Sequence, residues 1–569
     1  MRCHREGRAR DFRARGWWSA ETIDQLVKER VSADPEGLAL VDPPNTTALV
    51  GRDPVRWTWN RLDERVDVLA AFLLARGVRA GDVVAVQLPN CSALVQAFLA
   101  IVRIGAIVTP FPVSYREHEL GPMCRRTGSA GVVTASRYGE HELAGAALGL
   151  GASAPSVRFV VARGDDEPAG ALAWPEDPLS EAGKSALDEY LSALETDVDD
   201  CVTICWTSGT EAEPKAVPRC HGDWLATAAG CVQAAGMTRD DVLLSPFPMT
   251  NMAGIGGMFL PWLLTGAVFV PHHPFDLPVF LGQLAAERVT YTLAPPALLT
   301  MLLRNETVLS QKVLSGVDIS ALRKIGSGSA PLSPWLVRTW AQRYGIDIIN
   351  FFGSNEGTAL LSGPVDIPDP DQRASYFPNY ASAVTWSTPV AGWTSVRLHD
   401  PVTGERVTEP GHPGELHIAG PTVFAGYLRE MGEPLDTSAF DDDGHFRTGD
   451  VFEIAGERGE FLRYVDRMKD LVIRGGMNIS PAEVEGLLAG HPDVADVGVV
   501  GVPDDVMGER VCAVVVPGAR KPTLEELVAY LRERKVAAFK LPERLEYADA
   551  LPRNPVGKIL KRQLRESLG

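Results

Sequence analysis

Residues 465–485 read VDRMKDLVIRGGMNISPAEVE, and the reading of the fold starts from them. A short β-branched run, DLVIR, enters the pair Gly475/Gly476. Ser480, Pro481, Ala482 and Glu483 then follow the pattern of a helix N-cap with proline at the first helical position. Arg467 and Lys469 stand just before the run, in the charged segment DRMKD. The texture of the chain differs on the two sides of that segment, so a domain boundary is placed there, after Arg467.

Upstream, from about 385 to 465, TSVRLHD, GELHIAG, GHFRTGDVFEI and GEFLRYVDR are short strands broken by Gly and Asp turns, which predicts a β-rich subdomain. Downstream, SPAEVEGLLAGH, VADVGVVGVP, VCAVVVPG and TLEELVAYLRERK predict a compact α/β domain over 468–569. Farther upstream, amphipathic helices alternate with runs such as DVVAVQL and AIVTPF, and a second alternating block extends from CVTICWTSGT to about residue 350. Such alternation predicts α/β layers with parallel strands. The expected fold is an N-terminal domain over 1–467, with two α/β subdomains and the β-rich one, followed by a small C-terminal α/β domain. The first fifteen residues, MRCHREGRARDFRAR, read as a ragged basic start. Residues from about 140 to 190, rich in Ala, Gly, Pro and acid, read mainly as a long surface connection, with SVRFVVA as a strand inside it.

Bulk properties narrow the function classes. A chain of 569 residues is long enough for two or three domains with full cores. The net charge of −18 argues against broad nucleic-acid or anionic-membrane binding, because the summed field repels polyanions, although a local cluster can still hold a small anion. The eight cysteines form no Cys-x-x-Cys pair, and Cys201/Cys205 has no second pair to complete a zinc site. Buried thiols in a reducing compartment are expected. No apolar run follows the basic start, and the longest apolar stretch, MFLPWLLTGAVFVP, is too short to span a bilayer. A cytoplasmic protein is the expectation.

Several motifs carry chemistry. GLGASA (149–154) fits a dinucleotide fingerprint only by letter, since Pro155 follows and neither flanking element is evident; no Gly-x4-Gly-Lys-Ser/Thr occurs. CVTICWTSGTEAEPKAVPR is better: a strand runs into Thr207, Ser208, Gly209 and Thr210, and Lys215 follows after a proline. Hydroxyls and backbone N–H groups can cradle phosphate oxygens, and lysine adds a compact positive charge. With only eleven lysines in the chain, one in such a segment carries weight. In INFFGSNEG a strand leads to Gly353 and then Glu356, whose carboxylate suits a hard cation such as Mg²⁺. FRTGD ends on Asp450, able to accept both hydroxyls of a ribose, and LPRNPVGKILKRQLRE holds Lys558 in a Pro/Gly loop. Each stretch alone has an ordinary reading: a surface turn, a helix-capping acid, a β-turn Asp, a solvated lysine.

Their joint order decides. The succession resembles the adenylate-forming (AMP-binding) superfamily of acyl- and aryl-CoA synthetases, peptide-synthetase adenylation domains and luciferases, over roughly residues 18–569. The resemblance implies that Thr207, Ser208, Gly209, Thr210 and Lys215 grip the β,γ-phosphates of ATP. Ser327, Gly328, Ser329, Ala330 and Pro331, within GSGSAPL, would line adenine and the acyl pocket. Phe352 takes the place of an adenine-stacking Tyr, followed by Gly353, Ser354 and Asn355, and Glu356 that of the Mg²⁺ ligand. Asp450 falls at the ribose-binding Asp, Arg467 at the ribose/phosphate Arg, Lys469 at the hinge of a mobile C-terminal domain, and Lys558 at the adenylation lysine. Asn251, Met252, Ile255 and Gly256 would belong to the acyl pocket, with Asn251 where many relatives have a gating His.

The implied reaction is ATP-dependent activation of an aromatic or medium-sized carboxylic acid to an acyl-adenylate, then transfer to a thiol, with CoA as the expected co-substrate. PRCHGDW (218–224) is similar to aryl-acid activators that load a carrier protein, which stands as the alternative partner. Activation of nitrite for diazotising an aryl amine is a second alternative, and an inactive ligand-binding homologue a third. Four departures from the family pattern bear on ATP handling: Glu211 replaces a Thr, Ala212 and Ala216 replace glycines, and Asn355 replaces the usual Thr beside Glu356.

Overall fold

The computed structural model describes residues 1–207, 214–304, 317–474, 477–504, 506–553 and 559–568. Among them the strands form four sheets. The first, in spatial order, joins Leu172–Ala173, Val160–Arg163, Gly131–Ala135, Val83–Gln87, Ile107–Pro110, Cys201–Trp206 and Ala216–Cys220. All neighbours are parallel except the last pair, an antiparallel hairpin. Val83–Gln87 is buried at every position, the mark of a central parallel strand covered on both faces.

The second sheet runs Gly357–Ser362, Asp347–Ser354, Lys324–Gly328, Tyr291–Leu293, Val242–Ser245, Val268–Pro271, Leu38–Val41 and Arg56–Thr58, again parallel except for its outermost pairs. Helices Trp59–Ala75, Ser92–Arg103, His221–Ala235 and Leu260–Thr265 contribute to the largest apolar cluster, which draws on both sheets. The predicted α/β layering of the large domain is therefore observed.

A third, wholly antiparallel sheet is built from strands between Tyr376 and Arg467 and has its own core around Phe377, Phe424, Phe446 and Phe452. It is the β-rich unit expected from the Gly/Asp-punctuated sequence, beginning a few residues earlier than read. The fourth sheet, from Val472 to Tyr547, packs the helices Pro481–Leu488 and Leu524–Glu533 into the small C-terminal domain. The Ser-Pro-x-Glu pattern behaves as predicted: the Ser480 hydroxyl accepts the Glu483 N–H at 3.2 Å and Pro481 opens the helix.

Two expectations are corrected. Residues 1–15 are not a ragged start. Glu6–Ala14 is a helix, and Ala9, Phe12 and Trp18 are buried in a core cluster with Cys201 and Cys220. The Trp18 indole N–H donates to the Pro421 carbonyl at 3.1 Å. A methyl group on Gly222 would stand 2.3 Å from the Trp18 ring, so glycine is what lets the indole dock. The apolar partners of this arginine-rich segment lie some 200 and 400 residues away in the chain, where local periodicity gives no hint of them. Residues 140–190 are likewise more than a connection. They include helices Leu143–Leu148 and Glu181–Ala193, and strands Val160–Arg163 and Leu172–Ala173 extend the parallel sheet. Non-local pairing overrides the loop-like composition.

All eight cysteines are buried and none is in a disulfide. Among the described residues, no helix is long and apolar enough to cross a membrane.

Candidate active site

The hairpin Cys201–Trp206/Ala216–Cys220 carries the expected phosphate loop at its tip. Its neck is closed by two bonds: the Thr207 N–H donates to the Lys215 carbonyl at 3.0 Å, and the Lys215 N–H to the Thr207 hydroxyl at 3.2 Å. Ser208, Gly209 and Thr210, with Glu211, Ala212 and Glu213, lie outside the described residues. Ala216, where the family pattern has glycine, is a buried strand residue whose carbonyl accepts the Leu428 N–H.

From this neck a polar chain leads across to the segment that links two strands of the third sheet, Pro413–Ala419 and Phe446–Ala455. The Lys215 ammonium sits 4.5 Å from the centroid of the Tyr427 ring, a cation–π contact. The Tyr427 hydroxyl donates to Glu356 Oε1 at 2.8 Å. Burial, reinforced by the Glu356 charge and the hydrogen bond itself, pushes the Tyr427 hydroxyl well up from its ordinary pKa, so it remains a proton donor at neutral pH. The Glu356 carbonyl accepts the Phe424 N–H at 2.8 Å, fixing the backbone of the same residue. Tyr427 was not among the residues singled out from sequence; its only local signal is an aromatic side chain after Gly426 in FAGYLRE.

Asn355, beside Glu356, is buried and its side chain is doubly engaged. Its Nδ2 donates to the Trp206 carbonyl at 3.0 Å, and its Oδ1 accepts the Met252 N–H at 2.9 Å. One amide therefore links the strand that feeds the phosphate loop to the start of the expected acid-pocket helix. Its own carbonyl accepts from Arg219 at 3.0 Å. Arg219, fully buried, also donates to the carbonyls of Thr422 (2.7 Å) and Asp223 (3.3 Å), and lies 4.6 Å over the Trp224 ring. Sequence reading missed Arg219 as well: it stands inside PRCHGDW, whose neighbouring His221 accepts the Ile23 N–H and is held down to about 3 by burial.

In the expected acid pocket, Asn251 caps the helix turn by accepting the Gly254 N–H at 3.1 Å. Met252 and Ile255 are buried among Trp224, Met249 and Met258. A methyl group on Gly256 would press to 3.0 Å on the Met252 sulfur and the Thr227 methyl and 3.1 Å on the Trp224 ring, so the missing side chain permits this close packing.

On the nucleotide side, the Ser327 hydroxyl donates to the Ala294 carbonyl at 2.8 Å. Gly328 pairs with Phe351 so closely that a Cβ would be 2.5 Å from the Phe351 carbonyl oxygen. The strand then turns through Ser329, at φ +67°, to an exposed rim of Ser329, Ala330 and Pro331. Phe352 is half-buried, edge-on to Phe452 at 4.9 Å, and a bulge follows between it and exposed Gly353, with half-buried Ser354 next.

Asp450 and Arg467 are cross-strand partners in the third sheet, and Arg467 Nε donates to Asp450 Oδ1 at 3.3 Å. Burial opposes the Arg467 charge, yet Asp450, together with Tyr464, Asp470 and Glu356, outweighs it and holds the guanidinium pKa above its ordinary value. Asp466 accepts from the Ser480 hydroxyl and the Ala482 N–H, both at 2.9 Å, tying the end of this sheet to the first helix of the C-terminal domain. Lys469 lies in the one-turn segment Met468–Asp470, and its carbonyl accepts from Arg565 at 3.4 Å. Gly475, Gly476 and Lys558 lie outside the described residues. The structure thus brings Lys215 and Glu356 together through Tyr427, ties in Thr207 at the loop neck and Asn355 through the Trp206 carbonyl, and pairs Asp450 with Arg467.

Comparison with known proteins matches this arrangement along nearly the whole chain. The sequence model of AMP-binding enzymes matches residues 39–428, and that of the AMP-binding enzyme C-terminal domain matches 483–558. A medium-chain fatty-acid–CoA ligase of Escherichia coli is 30% identical over 99% of this chain and 93% of its own. A feruloyl-CoA synthase of an Amycolatopsis species is 32% identical over 92% of this chain and 96% of its own. Among solved structures, ATP-bound MatB from Rhodopseudomonas palustris superimposes with a TM-score of 0.75 at 27% identity, covering 96% of this chain and 99% of that one.

Proposed function

The chain belongs to the AMP-binding enzyme family, and on that premise we propose that it activates an aromatic or medium-sized carboxylic acid with ATP and passes the acyl group to CoA. Its broad activity is that of an adenylate-forming, AMP-forming acid–thiol ligase. A carboxylate oxygen attacks the α-phosphorus, the bond to the β-phosphate oxygen breaks, and pyrophosphate leaves. A thiolate then attacks the acyl carbon and AMP leaves.

The observation that carries the reading is the double engagement of Asn355. Acid activation needs the acid and the phosphates held together, and one buried amide bonds to both the phosphate-loop strand and the pocket helix. In this reading Lys215, with Thr207 and the outlying Ser208, Gly209 and Thr210, takes the phosphates, and Lys558 stabilises charge on the α-phosphate. Asp450 and Arg467 take the ribose. Ser327, Gly328, Ser329, Ala330, Pro331 and Phe352 border the base. Asn251, Met252, Ile255 and Gly256 shape the acid site, and Lys469 is the hinge about which the 468–569 domain turns.

The Glu356 carboxylate, a hard oxygen donor already oriented by Tyr427 and close to the loop neck, fits Mg²⁺. When bound there, the ion would neutralise charge on the departing pyrophosphate. Buried methionines and isoleucine beside the pocket residues favour an apolar or aryl acid over acetate.

The test is ATP–pyrophosphate exchange across aryl acids, medium-chain fatty acids and nitrite, followed by product analysis with CoA and with carrier protein. Exchange with an aryl or medium-chain acid and a CoA thioester is expected. Exchange only with nitrite, transfer only to carrier protein, or no AMP formation with any acid would each overturn a stated part of the reading.

A further inference from the structure

At the foot of the phosphate-loop hairpin, opposite its tip, the docked N-terminal segment brings together a set of side chains that the adenylation site does not use. His4, Asp199 and Cys220 are all buried, and each offers a ligand atom within 4.8 Å of the others. Cys220 ends the hairpin's return strand, and Asp199 lies two residues before its outgoing strand. The Asp199 carboxylate accepts the His4 backbone N–H at 3.1 and 3.3 Å. Cys3, next to His4, has its thiol against those of Cys201 and Cys220. We propose that this junction is a zinc site, with His4, Asp199 and Cys220 as ligands, which staples the N-terminal segment to the hairpin that holds the phosphate loop.

Three observations carry the assignment. The donor set of thiolate, imidazole and carboxylate is the mixture Zn²⁺ takes, and it is less suited to Mg²⁺ or Ca²⁺, which prefer oxygen. The His4 ring is arranged as a metal ligand is: Nε2 is bonded to Asp223 Oδ1 at 2.9 Å, and the remaining Nδ1 is buried with no hydrogen-bond partner. A carboxylate that orients the ligating imidazole from behind is a recurrent support of zinc sites.

Bonds of about 2.0–2.3 Å imply ligand separations of roughly 3.5 Å, so the donors would draw in by about an ångström.

The test uses the full-length, untagged chain, stripped with chelator and reloaded with Zn²⁺, or with Co²⁺ as a coloured probe. The expected result is about one tightly held metal per chain, a tetrahedral Co²⁺ spectrum with thiolate charge transfer, and slower tryptic release of the Arg5–Arg15 segment in the loaded form. His4→Gln and Cys220→Ser should abolish tight binding, and Asp223→Asn should weaken it about 10- to 100-fold. His399→Ala, in the separate His399/His417/Asp441 cluster, should leave it intact. The cobalt spectrum of the unmutated chain decides the matter even where a variant misfolds. Absence of a bound metal and of thiolate charge transfer there, or binding lost in His399→Ala but kept in His4→Gln, overturns the proposal.

Discussion

Tyr427 donates its hydroxyl to Glu356 across 2.8 Å while its ring lies beneath the Lys215 ammonium at 4.5 Å. One side chain, from the segment that links two strands of the third sheet, thus sets the position of the acid expected to hold Mg²⁺ and of the lysine expected to hold phosphate. Neither charged group needs to find its geometry when ATP arrives, which is the benefit of a preorganised site.

Tyr427→Phe tests that relationship while keeping the ring. A hydrogen bond to a charged group contributes about 1.5–3 kcal/mol, so pyrophosphate exchange should fall roughly tenfold or more. ATP affinity should change little, because the Lys215 contact remains. Exchange measured across a Mg²⁺ titration checks this, with the variant expected to respond differently to Mg²⁺.

Asn355→Ala leaves the Trp206 carbonyl and the Met252 N–H buried without their partner. Each orphan costs about 1–3 kcal/mol, so a loss on the order of 2–6 kcal/mol in chemical denaturation is expected, together with reduced exchange. Asn355→Asp should also be impaired, since a carboxylate keeps the acceptor for Met252 but sets negative charge against the Trp206 carbonyl.

Lys558→Ala should abolish adenylation while leaving nucleotide binding largely intact. Binding of ATP measured calorimetrically, beside exchange on the same preparation, separates the two effects. Near-normal exchange in this variant would remove Lys558 from its expected role.

Gly222→Ala places a methyl group 2.3 Å from the Trp18 ring and should evict the indole. Overpacking of this kind costs about 1–3 kcal/mol. The arginine-rich segment 5–15 should then be cleaved faster by trypsin than in the parent chain, which mass spectrometry of timed digests would show.

Asp42 gives stability a pH dependence of known sign. Burial raises its carboxyl to about 6, against hydrogen bonds from the Ser92 N–H and hydroxyl and the Val55 N–H that favour the charged form. The folded state therefore holds the proton more tightly than the unfolded one. The stabilising contribution is full below about 3.8 and is lost as pH rises through about 6. A shift of about two units corresponds to roughly 3 kcal/mol. Asp42→Asn cannot titrate, so the stability of the parent relative to this variant should fall as pH rises from 4 to 7. A gap that stays constant across that range would show that Asp42 is not the group responsible.

The legible parts of the site were those whose physics is local. Ser480, Pro481 and Glu483 announce a helix start because the capping hydroxyl and the backbone N–H it accepts are only three residues apart. Gly/Asp turns announced the third sheet, and continuous β-branched runs the buried parallel strands. Tyr427 was not legible, because its meaning depends on Glu356, 71 residues earlier. Asn355 showed as a departure from a pattern, and only its partners in two other elements turned that departure into a tie between them.

Sequence alone therefore determined the family order of the motifs, the α/β layers, the β-rich unit and the small C-terminal domain, because each rests on periodicity, turn chemistry or a motif read within a short window. Tertiary structure decided what those motifs are fastened to. Arg219 is held by carbonyls from two distant segments, at Asn355 and Thr422, Trp18 docks where Gly222 leaves room, and His4 meets Asp223 across 219 residues. Buried polar groups must find partners wherever the packed fold places them, and that placement is a property of the whole chain rather than of any stretch of it.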